Sequence, residues 1–164
     1  MRVTSKIGEG SVFYFTIPVL ESNQPFAPPK LTKEIIPILP DLSNYTILVA
    51  EDDISNFFYI EKLLKKTNVN IIHAENGMQV LKIIQSHPEI NLVLMDIKMP
   101  EMDGIEALHE VRKMNIQIPV IAQTAYTLAD EVTKLKAEGF DEYISKPINS
   151  ATLYTILHRN LINV

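Results

Sequence analysis

The sequence predicts an α/β protein with three layers, in which helices cover both faces of a doubly wound, five-stranded parallel sheet. From Tyr45 onward, short apolar runs alternate five times with stretches whose apolar residues recur at helical spacing. Most of these runs are continuously apolar, which is typical of parallel strands buried on both faces. The 164 residues, 46 % of them hydrophobic, suffice for one such domain with a few dozen residues to spare.

Each predicted strand is short and is bounded by polar or turn-forming residues. The five strands are expected at residues 46–50, 69–74, 91–95, 119–122 and 142–144. Pro119 is compatible with the fourth strand because it opens that strand, where no backbone donor is needed.

Each predicted helix presents one apolar face to the sheet. The faces, in chain order, are Phe57, Ile60, Leu63 and Leu64; Met78, Leu81, Ile83 and Ile84; Ile105, Leu108, Val111 and Met114; Leu128, Val132 and Leu135; and Leu153, Ile156, Leu157 and Leu161.

The segment before Tyr45 has a different character. Residues 3–5 and 11–17 read as two short strands, with Gly8 and Gly10 as turn residues between them. An isolated hairpin is marginally stable in water, so this piece looks like the edge of a larger domain. Six prolines crowd the first forty residues, and we therefore expect residues 19–43 to form an extended linker.

Composition excludes several classes of function. The chain has no cysteine, which rules out disulfides, thiol catalysis and thiolate metal sites. A net charge of -5 argues against nucleic acid as a partner, since such binding needs a basic face. No apolar run reaches the roughly 18 residues of a membrane span, and no signal peptide is visible. We expect a cytoplasmic segment that makes no membrane contact.

Charged and polar side chains follow several of the predicted strands. Glu51 and Asp52 come after the first strand and Asp96 after the third, while Thr124 ends the fourth and Lys146 follows the fifth. Ligands of such sheets bind outside the carboxyl ends of the strands, so these side chains should converge. Oxygen-only ligands favour a hard cation such as Mg²⁺. A lysine beside the cation would suit a bound anion.

A simpler interpretation of the first acids remains open at this point. An acid directly after a strand often caps the following helix, so Asp52, Asp53 or Ser55 could serve only as the N-cap. The combination is harder to explain in this way, because three different strands end in Asp96, Thr124 and Lys146.

The string Leu-Met-Asp-Ile-Lys-Met-Pro-Glu-Met-Asp-Gly at residues 94–104 resembles the phosphoacceptor signature of two-component receiver domains. Residues 47–52, 123–125 and 145–147 match the other signature segments in the correct order. The resemblance runs from Tyr45 to the C-terminus. It implies a flavodoxin-like fold with strand order 2-1-3-4-5, a receiver domain over residues 44–164, and a role as a response regulator module in two-component or phosphorelay signalling.

The resemblance also implies roles for individual residues. Asp96 would accept a phosphoryl group from a phosphohistidine donor, either the parent's own kinase core or a histidine phosphotransfer protein. Asp52 would bind Mg²⁺ directly and Glu51 through water, and Asp96 and the backbone carbonyl of Lys98 would complete the metal ligands.

Further roles concern the anion and the conformational switch. Thr124 would hydrogen-bond the phosphoryl oxygens, and Lys146 would pair with the phosphoryl group or with Asp96. Tyr143 matches the aromatic switch residue, and the Lys146–Pro147 bond matches a peptide that is cis in the family. Gln123 departs from the pattern, because an apolar residue is usual there.

Residues 1–18 resemble the closing hairpin of a histidine-kinase ATP-binding domain. Such a hairpin before a linker and a receiver is the order found in hybrid sensor histidine kinases, which implies a hybrid kinase as the parent protein. The 164 residues do not include the kinase's ATP-binding boxes. Any chemistry of this sequence is therefore expected to be limited to phosphorylation and dephosphorylation at Asp96. Upstream segments of the parent could anchor it in a membrane.

Three rival functions fit these residues less well. Phosphatases of the haloacid dehalogenase type carry Asp-x-Asp after the first strand, whereas Glu51 and Asp52 are adjacent here. A flavin-binding module needs a Ser/Thr/Gly-rich phosphate loop, which residues 53–56 do not form. The third rival is a receiver that serves only as an interaction surface, but no residue needed for phosphorylation is missing.

Overall fold

The computed structural model describes residues 2–16, 40–125 and 129–162. The chain divides into two compact units, residues 1–35 and 36–164. The first contains a hairpin and the second a five-stranded sheet with its helices.

The N-terminal hairpin consists of β1 (Arg2–Lys6) and β2 (Gly10–Tyr14), which pair antiparallel with Val3 opposite Phe13. The turn requires the glycines, because Gly8 and Gly10 have φ angles of 82° and 98°, in the left-handed region that side chains disfavour. Every residue of both strands is exposed. The second strand ends earlier than the predicted 11–17, and Ile17 lies outside the described residues.

The sheet of the second unit has five parallel strands, which are β3 (Thr46–Ala50), β4 (Asn70–Ala74), β5 (Ile90–Asp96), β6 (Val120–Thr124) and β7 (Glu142–Ser145). Their order is β4-β3-β5-β6-β7. This order corresponds to 2-1-3-4-5, counted from the first strand of the sheet, and it confirms the predicted flavodoxin-like arrangement.

Five helices connect the strands. They are α1 (Ile54–Leu64), which a 3-10 turn extends, α2 (Gly77–Ser86), α3 (Gly104–Lys113), α4 (Ala129–Glu138) and α5 (Ser150–Leu161). Side-chain caps define several of their N-termini. Asp103 and Glu106 form a reciprocal capping box at α3, and Asn149 accepts two backbone N–H bonds at α5.

Alternation along the central strands divides the core into two layers. Ile47 and Val49 pack with residues of α1 and α5, whereas Leu48 and Ala50 pack with residues of α2 and α3. Because successive side chains of a strand point to opposite faces, the same alternation decides where the side chains at the strand ends lie.

The predicted helix faces are largely confirmed, and α2 is the exception. Val80 and Ile84 are its buried large residues, while Met78 is 42 % exposed. The start of α2 lies close to the loop before α3, where the Gly77 N–H donates to the Met102 carbonyl at 3.0 Å. Leu81 and Ile83, which belong to the predicted face, are partly buried. Leu128, predicted for the α4 face, lies outside the described residues, but Leu135 is buried.

The end of the predicted linker packs against the sheet unit. Leu42 is fully buried in the α1–α5 layer, and its N–H donates to the Thr67 carbonyl at 2.7 Å. Asp41 accepts hydrogen bonds from the Asn68 side chain at 3.3 Å and from the Ser43 N–H at 3.2 Å, and these bonds lower the pKa of Asp41. The packed structure therefore begins before residue 44.

No helix among the described residues is both long and apolar enough to cross a bilayer.

Candidate functional site

The candidate site lies at the carboxyl ends of β3 and β5, where the strand order reverses. From β3 the chain adds β4 on one side of the sheet and then β5, β6 and β7 on the other. Loops that leave adjacent strands in opposite directions open a crevice at this point. Glu51 follows β3 directly, and Asp96 is the last residue of β5.

Three carboxylates meet in this crevice. One oxygen each of Glu51, Asp52 and Asp96 lies within 4.8 Å of the other two. Glu51 is 1 % exposed and Asp96 8 %, whereas Asp52 is open to solvent. Carboxylates this close repel one another, so the cluster requires positive charge.

Lys146, directly after β7, supplies part of that charge. Its Nζ lies 2.7 Å from Glu51 Oε2 and 2.8 Å from Asp96 Oδ2. Burial acts to lower the pKa of Lys146, but the hydrogen bonds and charges of Asp96 and Glu51 outweigh it and leave the pKa raised. Its backbone N–H donates to the Thr124 carbonyl at 2.7 Å, and the bond to Pro147 is cis, as the resemblance implies.

Further contacts hold Glu51 in place. Asn56 Nδ2 donates to Glu51 Oε1 at 3.0 Å, so both carboxylate oxygens have a protein partner. The Glu51 carbonyl lies 2.8 Å from His73 Nε2, and the His73 ring stacks on Phe57 with centroids 3.7 Å apart. Glu51 is thus held at both carboxylate oxygens and at its carbonyl.

The structure decides which acid caps α1. Asp53 Oδ1 accepts the backbone N–H groups of Ser55 at 2.8 Å and Asn56 at 2.9 Å. Asp52 is therefore not needed as the cap and lies with the acid cluster.

The three carboxylates fit a magnesium ion by their chemistry. They offer only oxygen ligands, and Mg²⁺ prefers one or two carboxylates with several waters. Asp52 is exposed on the solvent side of the cluster, where an ion can keep its waters.

The loop after Asp96 depends on a glycine that the sequence reasoning did not single out. A Cβ on Gly104 would lie 2.2 Å from the Asp96 carbonyl oxygen, so no side chain fits there. The Gly104 N–H also donates to the Ile97 carbonyl at 2.9 Å. The start of α3 is thus held directly against the backbone of Asp96. The Asp103–Gly104 pair within the quoted signature was the available signal.

A cavity of about 200 Å³ opens beside Asp96. It is lined by Asp96, Ile97, Lys98, Gln123, Thr124, Ala125 and Lys146. The Lys98 N–H lies 3.5 Å from Asp96 Oδ1, and Thr124 is 2 % exposed. Tyr143 is not among the described residues that line this cavity; it is half-buried on β7, in register with Ala122. Residues 126–128, which follow Thr124 and Ala125, lie outside the described part of the chain.

Comparison with known proteins identifies the family. The sequence pattern described as "Response regulator receiver domain" matches residues 47–158. The chain belongs to this family. The predicted receiver resemblance is thereby confirmed.

Two curated relatives place the receiver in different contexts. The chain is 37 % identical over 115 residues to the transcriptional regulatory protein ZraR of Klebsiella oxytoca, covering 70 % of this chain and 26 % of ZraR. It is 28 % identical over 155 residues to the autoinducer 2 sensor kinase/phosphatase LuxQ of Vibrio harveyi, covering 94 % of this chain and 18 % of LuxQ. The chain therefore spans about a quarter or less of either relative's length.

A solved structure gives a third comparison. The receiver domain of Ssk1 from Saccharomyces cerevisiae, crystallised with the histidine phosphotransfer signalling protein Ypd1, is 25 % identical and superposes with a TM-score of 0.66. The match covers 73 % of this chain and 94 % of the other.

Proposed function

We propose that this receiver accepts a phosphoryl group on Asp96 from a phosphohistidine donor, in a reaction that depends on Mg²⁺. The observation that supports this most directly is the position of Lys146, whose ammonium bridges Glu51 and Asp96 beside the cavity. The site thus combines a carboxylate nucleophile, a group of cation ligands and a fixed positive charge for an anion. In this proposal Asp52, Asp96 and the Lys98 carbonyl bind the metal directly, and Glu51 binds it through water.

The chemistry requires positioning and neutralisation of charge more than proton transfer. An Asp96 carboxylate oxygen attacks the phosphorus, the P–O bond forms as the P–N bond to histidine breaks, and the electron pair of that bond returns to the imidazole, which takes up a proton. Mg²⁺, when bound, offsets charge on the phosphoryl oxygens. Lys146 neutralises part of the remaining charge, and Thr124, in the cavity wall, donates its hydroxyl to a phosphoryl oxygen.

We include the switch in the same proposal. A shift of Thr124 toward the phosphoryl group moves the end of β6, whose carbonyl accepts the backbone N–H of Lys146. Tyr143 lies on the adjacent strand β7 and changes its packing in response. Phosphorylation would thereby alter the surface formed by α4 and β7.

A histidine phosphotransfer protein is one source of the phosphoryl group, and the kinase core of a parent protein is the other. The complex of Ypd1 with the Ssk1 receiver supports the first source. The match to LuxQ supports the second, because its 155 residues extend well beyond the receiver pattern at residues 47–158.

We therefore propose a hybrid sensor histidine kinase as the parent. In that protein residues 1–18 close the ATP-binding domain, residues 19–43 form the linker, and residues 44–164 form the receiver. A cytoplasmic location belongs to the same proposal, since such a donor histidine is phosphorylated from ATP.

The test is the uptake of one phosphoryl group. Incubation with Mg²⁺ and acetyl phosphate should raise the intact mass by one phosphoryl group in the unaltered protein but not in Asp96→Asn. Asp53→Asn is the matched control, because asparagine caps a helix as well as aspartate does and Asp53 is not in the acid cluster. An unchanged mass of the unaltered protein under saturating donor would overturn the proposal.

A further inference from the structure

Gln123 belongs to the same row of strand-end side chains as the acids. It lies in register with Asp96 on β5 and with Ile144 on β7. Residues paired in parallel strands point to the same face of the sheet, and Ile144 packs in the α1–α5 layer. The Gln123 side chain therefore points toward α1, beside the carboxylate of Asp96.

The amide of Gln123 is incompletely satisfied in this position. The residue is fully buried, and its Nε2 donates to the Ala50 carbonyl at 3.5 Å, at the long limit for a hydrogen bond. Its Oε1 is the only buried side-chain nitrogen or oxygen without a hydrogen-bond partner among the described residues. A buried acceptor without a donor is unfavourable, so such an atom calls for a specific explanation.

A second, smaller cavity lies behind Lys146 and supplies that explanation. It measures about 70 Å³, and its polar lining comes from Glu51, Asn56, Tyr59, Gln123 and Lys146. The cavity opens to solvent beside Asn56 and Tyr59, which are exposed, and it has room for a water with two to four polar partners.

Two donors around the cavity have a hydrogen available for that water, since Asn56 Nδ2 donates to Glu51 and has a second hydrogen. Lys146 Nζ carries three hydrogens, and Glu51 and Asp96 accept two of them. The Tyr59 hydroxyl already donates to the Ile148 carbonyl at 2.9 Å. Lys146 therefore has one hydrogen left, and Lys146 and Gln123 both line this cavity and also the larger one, while Gln123 Oε1 has no hydrogen-bond partner.

We propose that this cavity holds an ordered water that donates to Gln123 Oε1 and accepts from Lys146 Nζ. Gln123 is then a positioning residue, because the water satisfies the third hydrogen of the ammonium and fixes it between Glu51 and Asp96. The hydration of the cavity is independent of the proposed function. The effect of the water on phosphoryl uptake rests on the proposed function.

The hydration is tested on the unphosphorylated protein by NMR transfer of magnetisation from long-lived water to the Gln123 side-chain amide. We expect the signal in the unaltered protein and in Ile121→Met, which perturbs the same buried layer without touching either cavity. Gln123→Met cannot accept the bond, so the signal from bound water, read there on the Asn56 side-chain amide, should disappear. Absence of the water from the unaltered protein, or its persistence in Gln123→Met, would overturn the proposal.

The effect of the water on Lys146 is measured as the initial rate of phosphorylation by acetyl phosphate. We expect a loss of about tenfold in Gln123→Met, the size expected when one hydrogen bond to a charged group is lost. Ile121→Met should stay close to the unaltered protein. Loss of the water with an unchanged rate would refute the positioning role. Failure of the unaltered protein to take up phosphate, with the water present, would refute the proposed function and leave the hydration in place.

Discussion

Gly104→Ala should destabilise the receiver strongly, because the new methyl group meets rigid backbone. The added Cβ would lie 2.2 Å from the Asp96 carbonyl oxygen and 3.1 Å from both Asp96 C and Ile97 Cα. Overpacking of this kind costs about 1–3 kcal/mol, and a rigid backbone places it at the upper end. Loss of the bond from the Gly104 N–H to Ile97 adds about 1 kcal/mol, which the better helix propensity of alanine roughly cancels.

The net loss of about 3 kcal/mol is measurable by urea unfolding. With a slope of about 2 kcal/mol per molar urea, the midpoint should fall by about 1.5 M. Gly77→Ala is the graded comparison, because the nearest atom to its Cβ is the flexible Met102 Cγ at 2.6 Å, with the Met102 carbonyl oxygen next at 2.8 Å. It should lose less stability than Gly104→Ala. A Gly104→Ala protein within about 0.5 kcal/mol of the unaltered chain would refute the reasoning.

Three further predictions concern charge and backbone strain. Lys146→Ala should still take up phosphate but transmit little change to β7 and α4, so phosphorylation-dependent NMR shifts there should shrink; full shifts would contradict the role of Lys146. Because the folded-state pKa of Lys146 is raised, its ion pairs stabilise fully below the unfolded pKa of about 10.4 and are lost as pH rises through the folded value. Urea midpoints from pH 8 to 12 should show this fall, and Lys146→Met should lack it. Glu101 has a φ of 65°, and Glu101→Asn should raise the free energy of unfolding by about 0.5–1 kcal/mol, since asparagine tolerates that conformation; an unchanged midpoint would argue against strain.

The fold was predictable because its strands are short, continuous apolar runs, which differ clearly from the helical spacing of the segments between them. The apolar run at residues 46–50 forms β3, as predicted. The parallel topology then places the side chains that follow the strands at one edge of the sheet. The acids converge because β3 and β5 are parallel and adjacent, and Lys146 reaches them from the parallel strand β7 on the far side of β6.

Other features depend on contacts that a linear pattern does not contain. Asp52, Asp53 and Ser55 are all able to cap a helix, and only the backbone geometry assigns the cap to Asp53. Leu42 lies in a proline-rich context that indicates a linker, yet it completes a core whose other members are distant in sequence. In the sequence, Gln123 is only a polar residue where an apolar one is usual. The register of β5 and β6 is needed to place it beside Asp96.

The charges of the site favour a role for a cation in the proposed reaction. Three carboxylates and one ammonium leave the crevice with a formal charge of -2, and Glu51 and Asp96 are almost fully buried. A phosphorylated donor brings further negative charge, which this field repels. A divalent cation held by Asp52 and Asp96 would cancel the formal charge of the crevice, with Lys146 in place between Glu51 and Asp96. In the proposed reaction such a cation would therefore favour the approach of the phosphorylated donor.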